Sequence, residues 1–263
     1  MLAMEPTASK DVAPARPAST VLLVRDSAEG MEVFMVVRHH QIDFASGALV
    51  FPGGSIDKED AVIAADVARC GGDHGLDEQG RAFRVAAVRE TFEECGVLLA
   101  RPRGATALVD GARVAEIARK AAGRSFGELI AEEDLELALD KLTPFAHWVT
   151  PTPLPKRFDT HFFIAAAPED QLALHDGSES VDSVWINPTR ALAEAKTGKY
   201  TIIFATRLNV EMLGRQNDVA AAIEAARARK IVTVQPEVLR RDDKSVKLRI
   251  PLEADYGGDM FES

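Results

Sequence analysis

One segment constrains this chain more than any other: Arg81–Cys95, RAFRVAAVRETFEEC, followed by Gly96. Val85, Val88, Phe92 and Cys95 recur at steps of three and four, the spacing of one apolar stripe along an α-helix. At about 100° per residue, Glu90, Glu93 and Glu94 fall together on the opposite side within one turn. Gly96 supplies a residue at which such a helix stops. The fold must therefore bury the stripe against other elements while holding three carboxylates together on the far side.

Carboxylates this close repel, by a few tenths of a kcal/mol per pair when exposed and by more in a cleft, where their pKa values rise. A solvated acidic face is one outcome. A hard divalent cation is another, because Mg²⁺ and Mn²⁺ take oxygen ligands and commonly combine carboxylates with substrate phosphates. Arg89 lies four residues before Glu93 and can pair with it. A second feature favours the cation. Ala48–Phe51 predicts a short strand ending at Pro52-Gly53-Gly54, a corner without side chains where backbone can approach a metal or a phosphate.

The remaining pattern is mixed. Thr20–Arg25 and Glu32–Arg38 predict a hairpin, Val97–Ala100 a strand, Gly111–Lys141 two helices around Gly123 and Gly127, and Trp148–Pro155 a Pro-punctuated loop. Arg157–Ala166 and Val181–Ile186 predict strands, Pro188–Ala195 a helix, and Phe204–Ala228 mostly helix. Ile231–Val234 and Val246–Ile250 could pair. This order argues for an α/β (α+β) sheet covered by helices. We divide the chain into a disordered tail (1–17), a main domain (18–200) and a helix and strand extension (201–263) packed on the same domain. The domain carries a polar insertion at about 55–80 and a helical insert at about 105–143. The insert could serve a homodimer interface.

The 263 residues carry 31 Lys and Arg against 41 Asp and Glu, a net charge of −10. That balance argues against nucleic acid and anionic membrane as partners, so any phosphate ligand needs a local device. No apolar run reaches membrane-spanning length. Two cysteines and an N-terminus without an apolar signal core suit a cytoplasmic protein.

Gly54 followed by Arg89-Glu90-Thr91-Phe92-Glu93-Glu94-Cys95-Gly96-Val97 resembles the Nudix box, a Gly, a spacer with one Glu, then R-E-U-x-E-E-x-G-U with U bulky and apolar. Gly54 and Arg89 are 35 positions apart, against 14 in the family's short form, so 21 residues are extra. Gly75 has the short spacing, but Arg81 would then stand at the Glu position. We therefore place an insertion at Ser55–Gly80, with Glu59 and Glu78 as candidates for the first Glu.

An interrupted box resembles the branch that includes CoA and acyl-CoA diphosphatases. Gly47–Gly54 resembles the end of the CoA signature, and Trp148–Pro151, Arg157–Thr160 and Trp185–Pro188 resemble later segments. Arg38 matches the first Arg of that signature, while Asp43 stands where the second is expected. The resemblance implies a mixed sheet sandwiched between helices and metal-dependent hydrolysis, with Mg²⁺ or Mn²⁺, of a small nucleoside diphosphate derivative. The resemblance favours CoA or an acyl-CoA, with dinucleotides, nucleotide sugars or a non-catalytic nucleotide-binding module as the alternatives. Carried over, Glu90 and Glu94 would be the main metal ligands, Glu93 a further ligand or the base, and Gly53 a carbonyl ligand. Arg89 would orient the carboxylates.

Arg38, Gly54, Arg157 and Asp159 are the candidate substrate contacts, since Arg157 and Asp159 share one strand face. Bland readings suit the rest. His39 and His40 read as surface loop, His161 as a satisfied structural histidine, Glu179 and Asp182 as a solvated turn, Trp148 and Trp185 as core or pocket wall, and Cys95 as a buried inert thiol.

Overall fold

The computed structural model describes residues 13–38, 48–72, 75–152, 154–171, 180–241 and 245–262. In chain order the first elements are β1 (Arg16–Ser27), β2 (Gly30–Arg38), β3 (Leu49–Val50), β4 (Gly53–Ser55), α1 (Lys58–Ala65), β5 (Cys70–Gly71), α2 (Glu78–Cys95) and β6 (Ala100–Pro102). Then come α3 (Gly111–Lys120), α4 (Phe126–Glu132), β7 (Leu135–Ala138), β8 (Thr143–Val149), β9 (Phe158–Ala166), β10 (Ser180–Ile186), α5 (Pro188–Lys196), α6 (Phe204–Leu213) and α7 (Val219–Ala228). The chain closes with β11 (Thr233–Val234), β12 (Glu237–Arg241), β13 (Val246–Arg249) and β14 (Met260–Glu262).

The main sheet runs β10-β2-β1-β9-β8-β11. Val21, Leu22, Leu23 and Val24 of β1 are all fully buried, as a continuous apolar run in a sheet covered on both faces requires. Val21 and Leu23 pack with α2, whereas Leu22 and Val24 pack with α6 and α7. Helices thus sandwich the sheet, as the resemblance implies. One edge of β1 is shared: Val24–Ser27 pair with β2, and Ala18–Thr20 pair with β4. β3 instead pairs with β2. The fork between β2 and β4 opens the sheet beside α2.

α2 forms as the pattern predicts. The Asp77 side chain caps it through the Gly80 amide, and Gly96 ends it in the left-handed region at φ 67°. Val85, Val88, Phe92 and Cys95 are buried, with Phe92 the most exposed at 7%. Leu129 and Ile130 of α4, and Val114 and Ile117 of α3, lie in the same core. The helical insert therefore spends its apolar face inside the chain.

Several boundaries differ from the sequence reading. Arg16 and Pro17, assigned above to the tail, already pair with Phe158 and Asp159 in β9. Val97–Leu99 is buried but not a strand; pairing starts at Ala100. Leu135–Ala138 is a strand, not helix, because it lies between β5 and β6 in a small sheet joining the two inserted segments. Trp148 and Val149 end β8, whose register against β9 shifts between Pro144 and Ala146. Val234 pairs with Trp148, while β13 pairs with β12 and β14, so the two late strands do not meet. Trp148 is core, donating its indole N–H to Tyr256 (2.9 Å), and Trp185 packs edge-on against Phe34. His39, His40, Glu179 and Asp43 lie outside the described residues, while Asp182 is exposed in β10. Among the described residues no helix is long and apolar enough to cross a membrane.

Candidate active site

The site is assembled where α2 passes the β3–β4 corner. Gly53 sits at φ 152°, and a Cβ there would fall 2.3 Å from the Ser19 carbonyl oxygen. A Cβ on Gly54 would fall 2.4 Å from Glu90 Oε1. Only residues without side chains let β4 approach β1 at Gly53 and α2 at Gly54 this closely. The Gly53 amide donates to Glu94 Oε2 at 2.8 Å, so the corner also aims that carboxylate.

Arg89 is the hub. Its Nε and Nη2 donate to the two oxygens of Asp60 at 2.8 and 2.9 Å. Nη1 donates to Glu90 Oε1 and Glu93 Oε2, both at 2.8 Å, and Nη2 also reaches the Ser55 carbonyl at 3.1 Å. The guanidinium's five N–H donors thus meet five acceptors. Burial opposes the Arg89 charge, but the Asp60 hydrogen bond and the charges of Glu90, Asp60 and Glu93 outweigh it and hold the pKa above the ordinary arginine value.

One guanidinium does not neutralise this group. Asp60, Glu90 and Glu93 contact it, and Glu94 stands one residue further along. Burial pushes the Glu90 carboxyl up to about 7, against the pull of the Arg89 charge and hydrogen bond, with Glu93 and Asp60 adding to the rise. A cleft of about 640 Å³ opens beside the cluster, with Glu90, Glu93, Glu94, Gly53 and Gly54 on one wall and Phe158, Thr160 and Phe162 of β9 on another. Ile203 and Thr206, from the extension, reach the same cleft. Excess negative charge, an all-oxygen donor set and a side-chain-free corner fit a hard divalent cation.

Arg89, Glu90, Glu93, Glu94, Gly53 and Gly54 are therefore gathered as the sequence suggests. Arg157 and Asp159 are not. Strand alternation turns Phe158, Thr160 and Phe162 to the cleft, so Arg157 and Asp159 take the other parity. Arg157 donates to the carbonyls of Thr150 (3.0 Å) and Ala13 (2.9 Å), and Asp159 Oδ1 lies 2.5 Å from His147 Nε2. Arg38 ends β2 opposite Ser180, and its side chain lies outside the described part.

Glu59 accepts from the Gly127 amide (3.0 Å) on α4, and Glu78 is exposed at the start of α2, so neither supports Arg89. Asp60 does, from full burial. Its carboxylate also closes the N-terminus of α1, accepting from the Asp57 amide at 2.7 Å. Asp60 lies six positions after Gly54, the offset that placed Arg81 against Gly75. The signal was legible, but as Asp rather than Glu. The extra residues thus follow Asp60 instead of starting at Ser55.

The family model described as the NUDT19 Nudix domain matches residues 72–205. A human protein named acyl-coenzyme A diphosphatase NUDT19 is 30% identical over 207 residues, covering 62% of this chain and 55% of that one. A Caenorhabditis elegans protein described as a nudix hydrolase is 28% identical over 187 residues, covering 71% of this chain and 56% of its own length. The chain thus spans little more than half the length of these relatives. The crystal structure of a NUDIX hydrolase from Alicyclobacillus acidocaldarius superposes with a TM-score of 0.65 at 27% identity, covering 80% of this chain and 96% of that one.

Proposed function

The chain belongs to the Nudix hydrolase family, in its NUDT19 domain branch, and from that premise we propose that it cleaves the diphosphate of CoA or an acyl-CoA to 3′,5′-ADP and (acyl-)4′-phosphopantetheine. The observation that carries this reading is the gathering of Glu90, Glu93 and Glu94 around the glycine corner, open to a cleft large enough for a nucleotide derivative. The relatives named acyl-coenzyme A diphosphatase support the CoA assignment over a dinucleotide or a nucleotide sugar.

Glu90 and Glu94 would hold Mg²⁺ or Mn²⁺, with Glu93 and the Gly53 carbonyl as further candidate ligands. When bound, such an ion supplies charge neutralisation of the diphosphate and an acidified water. The chain's own groups do the rest. Gly53 aims Glu94 through its amide. Arg89, a positioning residue, fixes Glu90 and Glu93 through one nitrogen, and Asp60 fixes Arg89. Glu93, half exposed beside the cleft, is placed to accept the proton of the attacking water. Phe158 and Phe162 wall the opposite side. The retention of all three carboxylates favours catalysis over binding alone. Cys70 and Cys95 are buried without a disulfide, which supports a reducing cytoplasmic setting.

A substrate screen with Mg²⁺ and Mn²⁺, read by mass spectrometry beside Glu94→Gln, tests the proposal. We expect CoA or acyl-CoA to be cut and the variant to be nearly inactive. Cleavage of a dinucleotide with CoA intact would remove the CoA assignment, and full activity of the variant would remove the metal-ligand assignment.

A further inference from the structure

We propose that His147, Asp159 and His161 form a second metal site, for a divalent transition ion of the zinc type, on the opposite face of β9 from the cleft. The register builds it. His147 of β8 and His161 of β9 are direct cross-strand partners, and Asp159 lies two residues from His161 on the same face. One candidate ligand atom from each of the three lies within 4.8 Å of the others. All three are only partly buried, so an ion and its water can enter.

The histidine pair is otherwise unexplained. His161 was expected to be a satisfied structural histidine, yet among the described residues neither of its ring nitrogens has a hydrogen-bond partner. Its ring is held by stacking, 3.9 Å from Phe83 on α2 and 4.1 Å from His147. Burial, with His147 and Arg84 adding to it and Asp159 opposing, lowers its pKa to about 4, so the imidazole is neutral and its lone pair available at neutral pH. Arg84 is the cation that disfavours an ion here, and the Asp159 carboxylate is the group that offsets it.

His147 already has the support that metal-bound histidines use. One nitrogen faces Asp159, and Nδ1 lies 2.8 Å from Thr233 Oγ1 on β11. Two imidazoles and one carboxylate suit zinc-type ions better than Mg²⁺, which prefers oxygen. Ligands around a tetrahedral ion bonded at about 2.0–2.2 Å lie more than 3 Å apart. Binding therefore opens the 2.5 Å contact between Asp159 and His147 and swings apart rings now tilted by 29°. With an ion on Nε2, the His147 ring carries its proton on Nδ1, and the Thr233 hydroxyl accepts from it.

The site is tested on the full chain, stripped by a chelator and then held in Mg²⁺ sufficient to occupy the carboxylate site. Zn²⁺ titration by calorimetry should give one ion per chain, and Co²⁺ should give the visible absorption of nitrogen-ligated cobalt. Glu94→Gln should bind Zn²⁺ as the parent does, which separates this site from the catalytic one. His161→Ala and Asp159→Asn should weaken binding at least tenfold, and Thr233→Val about tenfold. The Co²⁺ spectrum of the parent needs no variant: its absence overturns the proposal. So does parent-like Zn²⁺ affinity in a folded His161→Ala, or loss of the ion in Glu94→Gln.

Discussion

Two of the charged clusters on the helices of this molecule differ in balance. On α3, exposed Arg113 pairs with Glu116 and Glu133, and Lys120 reaches Glu133 at 2.5 Å from the other side. Cations and carboxylates are matched there. The Lys120 hydrogen bond and both positive charges hold the Glu133 carboxyl below its ordinary range. At Arg89 a single buried guanidinium serves Asp60, Glu90 and Glu93, with Glu94 alongside, and the Glu90 carboxyl moves the other way, up to about 7. Screened surface pairs contribute little, whereas a buried group short of positive charge has a use for a cation. The difference separates a solvated helix face from one suited to a cation, which the bare sequence of carboxylates does not.

The largest effect that can break this contrast is on turnover. Glu90→Gln and Glu94→Gln should each lower kcat/KM by about 10²–10³-fold in steady-state assays while the protein stays folded. Gly54→Ala should follow, because the new methyl collides with Glu90 Oε1. Displacing a ligand by about 1 Å predicts a loss near 10²-fold, with little change in the melting temperature. Asp60→Ala should act on stability, since it leaves the buried Arg89 charge without its fork. Chemical denaturation should register a loss of about 3–5 kcal/mol.

A pH series sharpens the contrast further. The native Glu90 value lies above the unfolded one of 4.5, so the native state binds the extra proton between these values. This group's stabilisation is complete below about 4.5 and is lost as pH rises through about 7. The melting temperature of metal-free parent, relative to Glu90→Gln, should fall across that window, and saturating Mg²⁺ should abolish the fall. Smallest of all, Glu133→Gln should leave activity within about twofold.

What was legible in the sequence was local. The stripe Val85, Val88, Phe92 and Cys95 fixes the orientation of α2 from spacing alone, and Gly53-Gly54 marks the corner without knowledge of its partner. What was not legible depended on distant partners. A period of two tells that Arg157 and Asp159 share a face, but only the packing of α2 and the extension decides which face meets the cleft. Leu135–Ala138 becomes a strand because β5 and β6 flank it, through register pairs far apart in sequence: Gly71 with Ala138, 67 positions, and Ala100 with Leu137, 37 positions. Asp60 stands at the spacing expected of the first Glu, but its shorter side chain departs from the motif's residue type, so spacing alone points to it.

The most direct test of the central claim is a crystal soaked in Mn²⁺ and measured for anomalous scattering. We predict a peak bonded to the carboxylates of Glu90 and Glu94. A well-diffracting soak with no manganese on that ridge would contradict the account.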